Sequence, residues 1–241
     1  MSADKLVYII KAGSTFPDMA AEQGDFEDWI ISGLGLDVAL LDVVDVENGM
    51  ELPDISSVSG AVITGSHAMV TRNLHWSLSL ETWTRQLVLA KIPVLGICYG
   101  HQILARAMGG TVDFHSQGTE IGTREITRLP AGGQDILFKG LPERFKGHTV
   151  HSQTVTRLPD NAVLLACNSF EPHHGFRIGD SAWGVQFHPE FSVRAMEGYI
   201  GHMADTVRQE GQDPEKLIRD LDNTPEAAEL LERFGRLAVG N

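Results

Sequence analysis

Ile92-Pro93-Val94-Leu95-Gly96-Ile97-Cys98-Tyr99-Gly100-His101-Gln102 is the stretch from which the fold of this chain is read. Its first half, 92–98, is a near-continuous apolar run of strand length, the pattern of a strand buried on both faces. From Tyr99 to Met108 the pattern becomes helical. A buried strand that feeds straight into a helix belongs to a parallel sheet, whose strands are joined by helical crossovers.

Outward from this stretch the alternation repeats. Residues 6–10 read as a buried strand, and 16–33 as a helix with Phe26, Trp29 and Ile30 at helical spacing and Gly33 as its stop. Residues 36–46 read as a second strand and 60–65 as a short β-branched one. Residues 76–90 follow as a helix with Leu80, Trp83, Leu87 and Val88 on one face. The expected fold is α/β, with a mostly parallel central sheet flanked by helices. From Gly110 to about Trp183 the stretches are shorter and more polar (123–129, 148–158, 162–168, 175–178), as expected of an antiparallel edge or β-layer added to the main sheet. A last apolar strand, 183–187, precedes a helix over 192–210. Residues 214–241 read as two short helices, the second starting near Pro225 with Ala227, Leu230, Leu231 and Phe234 as its apolar face. We expect a main domain over 1–205 and a C-terminal helical tail, 206–241, that extends it.

Composition sets outer bounds. The chain has 241 residues, 42% hydrophobic and 21% charged, enough for a full core. Its 19 Lys and Arg against 32 Asp and Glu leave a net charge of −13, which argues against nucleic acid or an anionic membrane as partner. No apolar run approaches the roughly 18 residues that cross a bilayer. Met1-Ser2-Ala3-Asp4-Lys5 has no basic start before an apolar stretch, so a cytoplasmic location is expected. Only Cys98 and Cys167 occur, and Cys167, beside the apolar run 162–166, reads as inert.

Cys98 does not. Gly96 and Gly100 flank it at two residues on each side of a strand-to-helix junction, the pattern of a nucleophile elbow with sulfur in place of oxygen. The helix start behind it favours the thiolate, the reactive form. A thiolate nucleophile wants a base, and the base an orienter. His188-Pro189-Glu190 offers both just past an apolar strand: Pro189 biases His188 toward extended backbone, and side chains two apart in extended chain share a direction. Thr64-Gly65-Ser66-His67, after another inner strand, can turn backbone N–H groups toward a developing oxyanion, with the Tyr99 amide as second donor.

Together, Gly96 to Gln102 and His188 to Glu190 resemble the G-x-C-x-G-x-Q and H-P-E segments of the class I, or triad-type, glutamine amidotransferases. The resemblance covers roughly residues 5–205 and looks closest to the stand-alone relatives of the GMP synthase glutaminase domain. It implies a flavodoxin-like sheet, with Cys98 attacking the side-chain amide of glutamine, His188 shuttling the proton and Glu190 orienting His188. By the same resemblance the backbone amides of Ser66 and Tyr99 form the oxyanion hole. Gly65, Gln102, Gln117 and Gly118 bind substrate, the last two from the stretch 115–120. The oxyanion turn departs from the family, which often has a second glycine and a proline where this chain has Ser66 and His67.

After residue 205 no Gly-rich phosphate loop appears, and Gly33-Leu34-Gly35 lacks the third glycine of such a motif. The ammonia would therefore go to a separate synthetase subunit, or the chain is a free-standing hydrolase. No cofactor is implied. His148, His151 and the pair His173-His174 lack Asp or Cys ligands at metal spacing, so no metal is expected, and His101 reads as packing. The alternatives to a glutaminase are a γ-glutamyl peptidase and a non-catalytic or partner-activated regulatory subunit.

Overall fold

The computed structural model describes residues 5–240; Met1 to Asp4, read above for a targeting signal, and Asn241 lie outside the described residues. In chain order the strands begin with β1 (Leu6–Lys11), β2 (Leu41–Asp45), β3 (Val58–Ile63), β4 (Val94–Ile97) and β5 (Thr111–Phe114). They continue with β6 (Glu120–Arg128), β7 (Arg144–His151), β8 (Gln153–Arg157), β9 (Ala162–Cys167), β10 (Gly175–Ile178) and β11 (Ala182–Val185). The helices are α1 (Pro17–Gln23), α2 (Phe26–Leu34), α3 (His75–Leu89), α4 (Tyr99–Ala107), α5 (Val193–His202), α6 (Ala204–Gln209), α7 (Pro214–Arg219) and α8 (Pro225–Ala238).

Nine strands form one sheet in the order β2-β1-β3-β4-β11-β10-β9-β6-β7, and β5 pairs with β8 in a separate ribbon. The first five strands run parallel, and β10, β9, β6 and β7 extend the sheet antiparallel. The polar middle of the sequence is thus an antiparallel edge of the main sheet together with the small ribbon.

The inner parallel strands β1, β3, β4 and β11 are largely apolar because helices cover both faces. Along β1 the side chains alternate: Val7 and Ile9 pack with Ile30 and Leu34 of α2 and Leu231 and Phe234 of α8. Tyr8 and Ile10 pack on the other face with Leu80 and Leu87 of α3 and Ile103 and Leu104 of α4. Each such aliphatic or aromatic side chain, fully buried, contributes about 1.5–3 kcal/mol. A third cluster, with Met19, Phe26, Phe191, Tyr199, Ile200 and Leu217, joins α1, α2, α5 and α7. Helix α8 lies so close that a side chain at Gly33 would collide with Leu231, and one at Gly60 would meet Ala238 at 2.5 Å.

Several elements are shorter than the sequence pattern suggests. The helix expected over 16–33 is two, α1 and α2, because Gly24 takes φ +82° and Asp25 opens a new helix with a capping box to Asp28. The stop itself is Gly35, left-handed at φ +64°, two residues beyond Gly33. The strand expected over 36–46 begins with a 3-10 turn at Val38–Leu40. The one expected over 148–158 turns a corner at Ser152, leaving the main sheet as β7 and entering the ribbon as β8. The helix expected over 192–210 is interrupted at Met203, which lies outside helical geometry at φ −95°, ψ 6°.

Because β1, β3, β4 and β11 are parallel, their carboxyl ends meet on one edge, where open α/β sheets place their sites. The segments leaving that edge carry Gly13, Gly65 and Ser66, Cys98 and His188.

Candidate active site

Cys98 is the joint between β4 and α4. Its backbone sits at φ 49°, ψ −95°, outside the regions an ordinary side chain prefers. Two features hold it there. The Cys98 amide donates to the Val185 carbonyl of β11 at 2.8 Å. The flanking glycines let backbone touch backbone: a side chain at Gly96 would collide with the Gly100 carbonyl, and one at Gly100 with the carbonyl of Ile63. The glycines thus act through close approach, while the left-handed φ falls on the cysteine itself. Cys98 is 7% exposed, and its Sγ lies 3.7 Å from the Val150 carbonyl.

His188 follows β11. Its amide donates to the His148 carbonyl at 2.8 Å, and its Nδ1 donates to Glu190 Oε1 at 2.7 Å. The ring stacks on Phe191 at 4.1 Å, and Gly65 approaches its Cε1 from the other side. Nε2 is left without a hydrogen-bond partner. Burial by itself disfavours a charged ring, but the Glu190 carboxylate and the neighbouring Cys98 sulfur outweigh it, and the pKa of His188 is pushed up to about 10.

Cys98 and His188 line one cavity of about 280 Å³ together with Ser66, Tyr99 and Gln102. Ser66 accepts the Ala68 amide on its Oγ at 3.0 Å, which shapes the turn. Tyr99 presents the first amide of α4, one of the N-terminal N–H groups a helix leaves without an internal acceptor. Its phenol donates to Ser77 Oγ at 2.6 Å, and burial pushes its pKa up to about 12.

The structure places other expected residues differently. Gln102 reaches the cavity wall, but its amide nitrogen donates to the Gln153 carbonyl at 2.9 Å and to Gln186 Oε1 at 3.1 Å, so it braces the wall. Gln117 and Gly118 lie elsewhere. Gln117 lines a separate polar pocket of about 660 Å³, and Gly118 turns at φ +84° beside the Glu210 carboxylate. Where these two were expected, the corner Val150 to Gln153 faces Cys98. Phe16, Tyr199 and Met203 complete the opposite wall, with Tyr199 Oη 3.0 Å from His67 Nε2, and Met69 packs its sulfur on the Ser152 hydroxyl of the corner. No local pattern marks these residues, because each belongs to a segment whose position depends on tertiary packing.

The scattered histidines find separate tasks. His151 and His174 converge on Glu120 Oε2 at 3.0 and 3.1 Å, while Asn168 donates to Glu120 Oε1 at 2.7 Å. Burial opposes a charge on Glu120, yet the two imidazoles hold its carboxyl well below the usual range. His151 Nδ1 also donates to the Gln153 carbonyl at 3.0 Å, which fixes the corner beside Cys98. Buried His101 packs on Phe176 at 4.7 Å, and its burial pushes its pKa well down.

With this geometry in view, comparison with known proteins is direct. Residues 34–202 match the family described as Glutamine amidotransferase class-I, and the chain belongs to that family. It is 28% identical to Gamma-glutamyl peptidase 5 of Arabidopsis thaliana over 222 residues, covering 90% of this chain and 87% of that protein. It is 39% identical to the glutamine-hydrolyzing GMP synthase of Aeropyrum pernix over 132 residues, 55% of this chain but only 24% of the synthase. The crystal structure of a glutamine amidotransferase from Thermotoga maritima superposes with a TM-score of 0.72 at 21% identity, covering 97% of this chain and 98% of that one. The mostly parallel sheet with its antiparallel extension is therefore the fold of this family. No helix among the described residues is long and apolar enough to cross a membrane.

Proposed function

We propose that the chain hydrolyses the γ-amide bond of glutamine or a γ-glutamyl compound through a thioester on Cys98. The observation that carries this reading is the convergence of Cys98, on its strained elbow, with a His188 whose Nδ1 is bound to Glu190 and whose Nε2 is open. Membership of the class I family supports it.

In the proposed cycle the Cys98 thiol passes its proton to His188 Nε2 and the thiolate Sγ attacks the γ-carbonyl carbon, while the oxyanion that develops accepts hydrogen bonds from the Ser66 and Tyr99 amides. As the C–N bond breaks, His188 Nε2 gives its proton to the departing nitrogen, and Glu190 stabilises the imidazolium and keeps its orientation. Water, deprotonated by His188, then cleaves the thioester, releasing glutamate or its equivalent and restoring Cys98. These steps use only side chains and backbone of this chain.

The departing nitrogen is either ammonia, passed to a separate synthetase subunit, or a larger amine. Near-complete coverage of the peptidase relative, against about a quarter of the synthase, supports the larger amine. The test is labelling by a glutamine-like diazo-ketone followed by mass spectrometry. We expect modification at Cys98, suppressed by competing γ-glutamyl substrate, and a fall of about 10⁴-fold or more in turnover for Cys98→Ala with the fold retained. Wild-type turnover by that variant would refute the reading.

A further inference from the structure

The cavity beside Cys98 has two unlike walls. On one side is the β7–β8 corner, with the Val150 carbonyl 3.7 Å from Sγ and the Ser152 hydroxyl nearby. On the other are Phe16, Tyr199 and Met203, with the His67 ring against the first two, while Met69 lies on the corner side with its sulfur on the Ser152 hydroxyl. Among the described residues no Lys, Arg, Asp or Glu side chain lines either wall. Resting on the Cys98 chemistry proposed above, we propose that the apolar wall of Phe16, Tyr199 and Met203 receives the leaving amine, so that the chain prefers γ-glutamyl amides of compact, uncharged apolar amines to glutamine.

The direction follows from the proton donor. The nitrogen that leaves must take its proton from His188, so the amine arm of the substrate lies on the His188 side of Cys98. There the aromatic packing is continuous behind the cavity: His188 stacks on buried Phe191 at 4.1 Å, Phe191 lies 5.1 Å from Tyr199, and Tyr199 lies 5.2 Å from Phe16, the last two facing the cavity. The glutamyl arm, with its ammonium and carboxylate, is left the corner of carbonyl, hydroxyl and amide groups. Ammonia as leaving group would cover none of the apolar wall, whereas an apolar amine removes that wall and its own carbon surface from water together. A charged amine would be desolvated there without a partner.

Size narrows the class further. At about 280 Å³ the cavity lies at the lower edge of ligand pockets, which run from roughly 300 to 1,000 Å³. Once the glutamyl arm is seated, the enclosed part of the amine is a branched aliphatic group or a single ring. The bond changes are those of the proposed cycle: S–C forms, C–N breaks, the free amine departs with the His188 proton, and water returns the enzyme.

The experiment compares kcat/KM for γ-glutamyl-leucinamide, γ-glutamyl-glycinamide and glutamine on the purified full chain, with diazo-ketone labelling of Cys98 in parallel. The two dipeptide amides share a neutral carboxamide end and differ in an isobutyl group. An apolar pocket discriminates such a group by roughly ten- to a few hundredfold. We expect leucinamide to lead glycinamide by about tenfold or more, and Met203→Ser and Phe16→Ser to draw that ratio toward one. A ratio near or below one while Cys98 is labelled and glutamine is turned over overturns this inference and leaves the thioester chemistry standing. A large ratio that both variants leave untouched overturns the assignment of the wall. Absence of both labelling and turnover overturns the underlying reading itself.

Discussion

His188 and His151 line the same cavity, are both buried, and both face a buried carboxylate, yet they are built for different ends. The first pair, His188 and Glu190, comes from one short loop. The second is assembled across strands: the antiparallel register sets Glu120 of β6 opposite His151 of β7, and His174 and Asn168 arrive from outside both. In the first, one ring nitrogen is bound and the other open. In the second, both nitrogens of His151 are bound, one to the Gln153 carbonyl and one to Glu120. The same two residue types give a group able to move a proton where a nitrogen is free, and a brace where none is.

The contrast is sharpest in the response to losing the carboxylate. Glu190→Gln is expected to lower turnover by about 10³- to 10⁴-fold, a far larger effect than its cost in folding stability, because the imidazolium loses its counter-charge and its tautomer is no longer fixed. Steady-state kinetics beside a denaturation curve check this; near-normal turnover would place the proton chemistry elsewhere. Glu120→Ala should do the reverse, costing about 3–5 kcal/mol of folding stability by stranding two buried imidazoles. Glu120→Gln, which can still accept from Asn168, should recover part of that loss in urea titrations.

A subtler separation lies in pH. His188 has its pKa raised in the folded state, so the stability it adds is fully present below about pH 6.5 and is lost as pH rises through about 10. Glu120 has its pKa lowered, so its contribution is present above about pH 4.5 and is lost as pH falls below that value. Stability measured from pH 3 to 10 should therefore show an acid limb that Glu120→Gln flattens and an alkaline limb that Glu190→Gln flattens. If either substitution altered the opposite limb, the two clusters would be coupled through the cavity wall.

The same contrast explains what could be read in advance. The cysteine elbow and His188-Pro189-Glu190 were legible because each is local: spacing within a few residues fixes which groups share a turn. The apolar runs of β1, β3, β4 and β11 were legible because burial on both faces leaves a continuous signature. Glu120, His151 and His174 were not, since only strand register brings them together. That Gln117 and Gly118 lie away from the Cys98 cavity was not legible for the related reason that a loop's destination depends on what its ends pack against. The break at Gly24-Asp25 did carry a local sign, a glycine followed by an acidic cap and Asp28 three residues on, but the apolar spacing of Phe26, Trp29 and Ile30 masked it.

Position 98 has a consequence for how this chain can evolve. A side chain held at φ 49°, ψ −95° costs on the order of 1–3 kcal/mol, and glycine would relieve that cost at once. Selection for stability alone would therefore remove the sulfur. Cysteine at so strained a position is a cost that the proposed use of its sulfur accounts for.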